Sequence, residues 1–178
     1  MSRVGKRPIT IPPGVEVQLA GSLVSVSGPK GTLKLNLPDG FQVQIDGAQL
    51  QVAPTHPGPN SSARYGLYRS LLANMITGVA RGYVKELEIQ GVGFKAAVQG
   101  QQAVFALGFS SPAILAIPPG IEMKVNDNVN VTISGPDKQQ VGNFAAGIKA
   151  LFPAEPYKGK GIRFKGEHVR RKAGKTVA

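Results

Sequence analysis

The chain has no cysteine. That excludes disulfides, zinc knuckles and thiol nucleophiles. Charged residues make up only 17%, and no apolar run is long enough to span a bilayer. The basic opening Met1-Ser2-Arg3-Val4-Gly5-Lys6-Arg7-Pro8 leads into prolines and alternating residues rather than an apolar signal core, so the sequence predicts a cytosolic chain without a signal peptide. On that reading the sequons Asn60-Ser61-Ser62 and Asn130-Val131-Thr132 are chance matches. Histidine is scarce too: His56 sits among prolines and His168 in a basic tail, neither with a second ligand at metal spacing. The ten acidic residues are scattered, with Glu86 and Glu88 the one close pair, on one face of an alternating strand. No catalytic residue, metal site, cofactor or small-molecule substrate is expected.

The 178 residues, 42% of them hydrophobic, suffice for one large domain or two small ones with a real core. With 23 glycines and 14 prolines the pattern is of short strands and tight turns. The net charge of +11 is unevenly placed: residues 1–10 carry +3, 11–153 only +2, and 154–178 carry +6. An almost neutral body with two basic ends suits a polyanion, because each neutralised phosphate releases condensed counterions. A solvated tail or an anionic membrane surface are the alternatives. The membrane reading lacks an amphipathic apolar face or a lipidation site.

The sequence also repeats itself. Ile11-Pro12-Pro13-Gly14-Val15-Glu16-Val17 returns as Ile117-Pro118-Pro119-Gly120-Ile121-Glu122-Met123, and Val24-Ser25-Val26-Ser27-Gly28-Pro29-Lys30 is echoed by Val131-Thr132-Ile133-Ser134-Gly135-Pro136-Asp137-Lys138. Two blocks in the same order, about 106 residues apart, point to an old duplication. Each block reads as strand, turn, strand. Further strands follow the first block at Leu33/Leu35/Leu37, Phe41/Val43/Ile45 and Leu50/Val52, but precede the second at 84–89, 94–99 and 104–109. Each half has one helix. Leu67, Leu71, Leu72, Met75, Ile76 and Val79 mark the first, capped by Asn60 or a following serine, with Gly82 past its end. Val141, Phe144, Ala145, Ile148, Leu151 and Phe152 mark the second, with Asp137 as N-cap and Pro153 as stop. The expected fold is α+β: two similar small domains, 1–82 and 83–178, each an antiparallel sheet covered by one helix, with basic N-terminal and C-terminal extensions.

Gly91-Val92-Gly93-Phe94-Lys95-Ala96 has dinucleotide-fingerprint spacing, but the residues after it alternate like a hairpin instead of opening the helix that would hold a pyrophosphate. Ser27-Gly28-Pro29-Lys30-Gly31-Thr32 has phosphate-loop residues in the wrong order and reads as a turn. The segment with chemistry is Tyr157-Lys158-Gly159-Lys160-Gly161-Ile162-Arg163-Phe164-Lys165. Glycines between lysines let a backbone approach phosphates while ammonium groups neutralise them. Tyr157 and Phe164 either stack on unpaired bases or pack on the domain. Arg170, Arg171, Lys172 and Lys175 extend the charge, and Arg3, Lys6 and Arg7 supply it at the other end.

At these residues the chain closely resembles the bacterial large-subunit ribosomal protein six family over nearly its whole length. The matching pieces are residues 1–6, the Ile11-Pro12 block, Gly28-Pro29-Lys30-Gly31, Gly66-Leu67 with residues 69–75, residues 91–96 and, most specifically, residues 157–163. Tyr65 stands where the family often has His. The resemblance implies two related domains that bind large-subunit rRNA, mainly through the second. It implies a place near the sarcin–ricin loop and translation-factor binding region, beside neighbouring proteins of the stalk base. It further implies a structural role in subunit assembly and rRNA stability, with RNA contacts carried by Lys158, Lys160 and Arg163.

Overall fold

The structure, a computed structural model, describes residues 2–55 and 61–175. His56 and the Asn60 cap lie outside the described residues. The chain divides into two compact units. One holds the described residues up to Tyr83 together with Pro136–Lys138; the other holds Val84–Gly135 and those from Gln139 onward.

The first unit contains β1 (Ile9–Thr10), β2 (Glu16–Ala20), β3 (Leu23–Gly28), β4 (Gly31–Asn36), β5 (Phe41–Asp46), β6 (Gln49–Pro54) and α1 (Ser61–Arg81). The strands form two three-stranded antiparallel sheets, ordered β2-β3-β4 and β1-β6-β5. Alternation puts Val24, Val26, Leu50 and Val52 inward, against Tyr65, Leu72, Met75, Ile76 and Val79 of α1. Leu67, read from the sequence as core, is about half exposed; the first turns of α1 instead face inward with Tyr65 and Tyr68. Gly82 takes a left-handed φ of 78° and its N–H donates to the Gly78 carbonyl, ending the helix.

The second unit contains β7 (Tyr83–Gln90), β8 (Lys95–Gln99), β9 (Gln102–Ala106), β10 (Ala113–Ala116), β11 (Glu122–Asn126), β12 (Asn130–Gly135), α2 (Lys138–Leu151) and β13 (Gly161–Phe164), the first residues of β7 and α2 excepted. Its sheets are ordered β10-β9-β8 and β11-β12-β7-β13. The chain is therefore α+β with one helix per unit, and each unit divides its strands between two sheets. That division is invisible in the strand patterns alone. Val141, Ala145 and Ile148 are the buried face of α2, which follows Asp137 directly. Phe109 falls outside β9, which ends at Ala106 before Gly108 turns the chain at φ 80°.

The repeated blocks occupy matching places. Gly14 and Gly120 have φ of 85° and 83°, and each Pro-Pro-Gly turn is closed by the next residue donating to a proline carbonyl, Val15 to Pro12 and Ile121 to Pro118. Ile11 N–H donates to the Ala48 carbonyl in the β5–β6 turn, and Ile117 N–H to Gln101 in the β8–β9 turn, both at 2.8 Å. The hairpins β2–β3 and β11–β12 follow. The strands β4-β5-β6 that come after the block in the first unit thus have counterparts β7-β8-β9 that come before it in the second. The copies part at the Gly-Pro step. Gly28-Pro29-Lys30-Gly31 turns into β4, whereas Gly135-Pro136-Asp137 opens α2.

Candidate nucleic-acid interface

The basic segment after α2 is a strand of the sheet. Beyond Pro153, Glu155 N–H donates to the Lys160 carbonyl and Ile162 N–H to that of Phe152, both at 2.8 Å. β13 then runs antiparallel to β7, with Ile162 opposite Ile89 and Arg163 opposite Glu88. Ile162 is fully buried. Gly161 has φ 134°, and a Cβ there would stand 2.7 Å from both the Ala154 Cα and the Pro153 carbonyl oxygen. At Gly159 (φ 74°) a Cβ would meet the Arg171 guanidinium at 3.2 Å. The alternation of these glycines with lysines suggests room for a phosphate. Here the missing side chains make room for the chain itself.

The cations fall into two groups. Arg163 donates from Nε and Nη2 to Glu88 Oε2 (3.1 and 2.9 Å), and Lys165 pairs with Glu86 at 2.7 Å. Lys149 on α2 pairs with Glu167, whose other oxygen accepts the Phe164 N–H. The Phe164 ring packs in the unit, with Lys85 and Lys149 ammoniums 5.6 and 5.0 Å from its centroid. The bonds to Lys149 and Phe164 hold the Glu167 carboxyl below its ordinary range, and Glu86 raises Lys165. In contrast, Lys158, Lys160, Arg170, Arg171, Lys172 and Lys175 are exposed, with no acidic side-chain partner among the described residues. Tyr157 is exposed beside them. Lys172 N–H donates to the Pro156 carbonyl at 2.8 Å, so the tail lies back over the 156–159 turn and concentrates these charges.

Glu167 gives a small pH-dependent prediction. Its folded pKa is lowered, so its stabilisation is present above the ordinary carboxyl range and is lost as pH falls through the folded value. Glu167→Gln should cost no more than about 1 kcal/mol at neutral pH. In urea denaturation the difference from wild type should vanish on acidification.

The first unit presents the other basic end. Gly5 is buried, and the Tyr65 ring occupies the space a side chain there would need. Arg69 Nε and Nη2 donate to the carbonyls of Arg7 and Pro8 (3.2 and 3.3 Å). These contacts hold the arm on α1 while Arg3, Lys6 and Arg7 stay exposed. Arg69→Ala should free the arm, read as faster tryptic cleavage after Arg3 and Lys6 with stability changed by about 1 kcal/mol or less.

The amino-acid pattern does not mark Arg69, Tyr65 or Lys149 as supports of the basic ends. It places Glu86 and Glu88 on one face but not against Arg163 and Lys165, although the two pairs share a two-residue spacing. The Gly91 motif is followed by strand β8, which cannot present a helix N-terminus to a pyrophosphate. Among the described residues no group of His, Cys, Asp or Glu could hold a metal ion, and no helix is long and apolar enough to cross a membrane.

Comparison with known proteins finds the same pattern elsewhere. The profile of the family described as Ribosomal protein L6 matches residues 11–82 and again 90–165. Over 177 residues the chain is 54% identical to the large ribosomal subunit protein uL6 of Synechococcus sp. (strain WH7803), covering 99% of this chain and 98% of that one. It is 50% identical over 176 residues to the uL6 of Synechocystis sp., again at 99% and 98% coverage. To the uL6 of Methylacidiphilum infernorum it is 50% identical over 177 residues, at 99% coverage of both.

Proposed function

This chain belongs to the ribosomal protein L6 family, and from that premise we propose that it binds large-subunit rRNA through its two basic ends. As a member of that family it is a structural component of the large ribosomal subunit in the cytoplasm and not an enzyme. The observation that carries the RNA reading is the division of its cations. Arg163 on β13, Lys165 just after it and Lys149 on α2 are paired with Glu88, Glu86 and Glu167 respectively, whereas the cations of the 157–160 turn and the tail are exposed without such a partner among the described residues. Folding alone has no use for uncompensated like charges held close together, since they repel; phosphates would relieve that repulsion.

In this reading Lys158, Lys160, Arg170, Arg171, Lys172, Lys175 and the arm's Arg3, Lys6 and Arg7 meet phosphates. Tyr157 stacks on a base. Arg163 and Lys165 serve chiefly by fixing β13 to β7. The signature-like run 157–163 supports a position near the sarcin–ricin loop and the translation-factor binding region. Neighbouring large-subunit proteins of the stalk base would lie beside it there, and translation factors nearby. From that position it would support subunit assembly and rRNA stability.

Two measurements test this. The chain should co-sediment with large subunits and be stripped by high salt. Chemical footprinting of large-subunit rRNA, with and without the protein, should show protection around the sarcin–ricin loop. Protection confined to other regions would overturn the position, and no protection would overturn the binding.

A further inference from the structure

The end of the β7–β13 strand pair that carries the free lysines also carries uncovered apolar side chains. Gln90 pairs with Gly161, so the chain leaving β7 through Gly91-Val92-Gly93 lies beside the chain entering β13 through Lys158, Gly159 and Lys160. Val92, at the tip, is 93% exposed. Its loop is shaped to keep it there. Phe94 N–H donates to the Gly91 carbonyl (3.3 Å), and the Phe94 ring folds back into the space where a Gly91 side chain would stand. Gly93 takes φ 80°. Behind the tip, Phe94 meets Phe152 edge-on with centroids 5.2 Å apart, and Phe109 tilts against Phe152 at 5.8 Å. Phe109 remains 51% exposed.

A valine held this far into water adds nothing to the stability of the free chain. Single exposed apolar residues are ordinary, but a tip backed by an aromatic cluster marks a contact surface. The flanking charge decides the partner. Lys158 and Lys160 beside the tip favour a polyanion, and RNA recognition combines such cations with apolar or aromatic contact to splayed-out bases.

We propose that Val92 and Phe109 form a base-contacting element that receives an unstacked nucleobase of large-subunit rRNA while the adjacent lysines hold the flanking phosphates. The inference rests on the rRNA-binding reading above and adds a contact that recognises a base rather than charge.

The test is binding of the full chain to deproteinised large-subunit rRNA across a salt series. Val92→Ser should weaken binding about tenfold at every salt concentration, with the slope of log affinity against log salt unchanged, because an apolar contact releases no counterions. Lys160→Ala should instead flatten that slope by about one contact. Since Val92 packs against little, its variant should melt like wild type, so a binding loss cannot be ascribed to unfolding. Phe109→Ala, whose ring does pack, is a second variant to be read together with its melt. Wild-type affinity in Val92→Ser with a steep slope retained overturns the base contact and leaves the electrostatic reading standing. A shallow slope in wild type overturns the electrostatic reading itself. A photo-activatable diazirine side chain at position 92 in assembled large subunits should cross-link to rRNA. Cross-linking only to a neighbouring protein, or none, overturns the proposal.

Discussion

Replacing Ile162 with Ala is expected to destabilise the second unit by about 2–5 kcal/mol, the range for emptying a well-packed aliphatic site. Ile162 is fully buried in β13, and its N–H is bonded to the Phe152 carbonyl. Its neighbour Gly161 lies so close to the Pro153-Ala154 backbone that no side chain fits there, so the strand cannot shift to refill the cavity. Urea unfolding without RNA should show a lower midpoint at unchanged m-value, and Ile162→Val should cost only about 0.5–1.5 kcal/mol. Wild-type stability in Ile162→Ala would remove β13 from the core. The same geometry predicts that a truncation at Ala154, which removes β13 entirely, leaves β7 an unpaired edge and abolishes the cooperative transition of that unit.

That prediction turns on a segment whose structural role the amino-acid pattern hides. Gly161-Ile162-Arg163-Phe164 offers only two apolar residues in alternation, too few to mark a strand between lysines. Its need for glycine becomes visible only when residues 153–154 are in place beside it. The Pro-Pro-Gly and Ser-Gly-Pro repeats were legible because a turn requiring positive φ must be written in nearby residues, Gly14 and Gly120 among them. The face of α2 was legible because Val141, Ala145 and Ile148 recur at helical spacing. On α1 the same spacing was ambiguous. Leu67 and Tyr65 are both apolar enough to face inward, and only the arm packed at Gly5 shows why Tyr65 does. At the candidate interface the charge was plain in the sequence, but which cations were free was not. Arg163 and Glu88 are far apart in sequence, and their pairing depends on β13 lying in register with β7.

Removing residues 169–178 is expected to weaken binding to large-subunit rRNA by about a hundredfold or more near physiological salt, with little loss of stability. The cut keeps Glu167, and with it the bonds to Lys149 and the Phe164 N–H. It removes Arg170, Arg171, Lys172 and Lys175, half of the eight basic residues beyond 153. If about five to eight terminal cations meet phosphates, the intact chain should show a slope of roughly −4 to −7 in log affinity against log salt. Losing four of them should flatten it by about three. Lys158→Ala and Lys160→Ala should each remove about one contact on the same plot. Arg163→Ala supplies the contrast. Its guanidinium is engaged by Glu88, so the substitution should lower the melting temperature of the second unit and leave the salt slope where it was. A flattened slope in Arg163→Ala would mean that RNA displaces Glu88 from the arginine. An unchanged slope in the truncated chain would mean that the tail's charges never reach phosphate, and the RNA site would move to the 157–160 turn and the N-terminal arm.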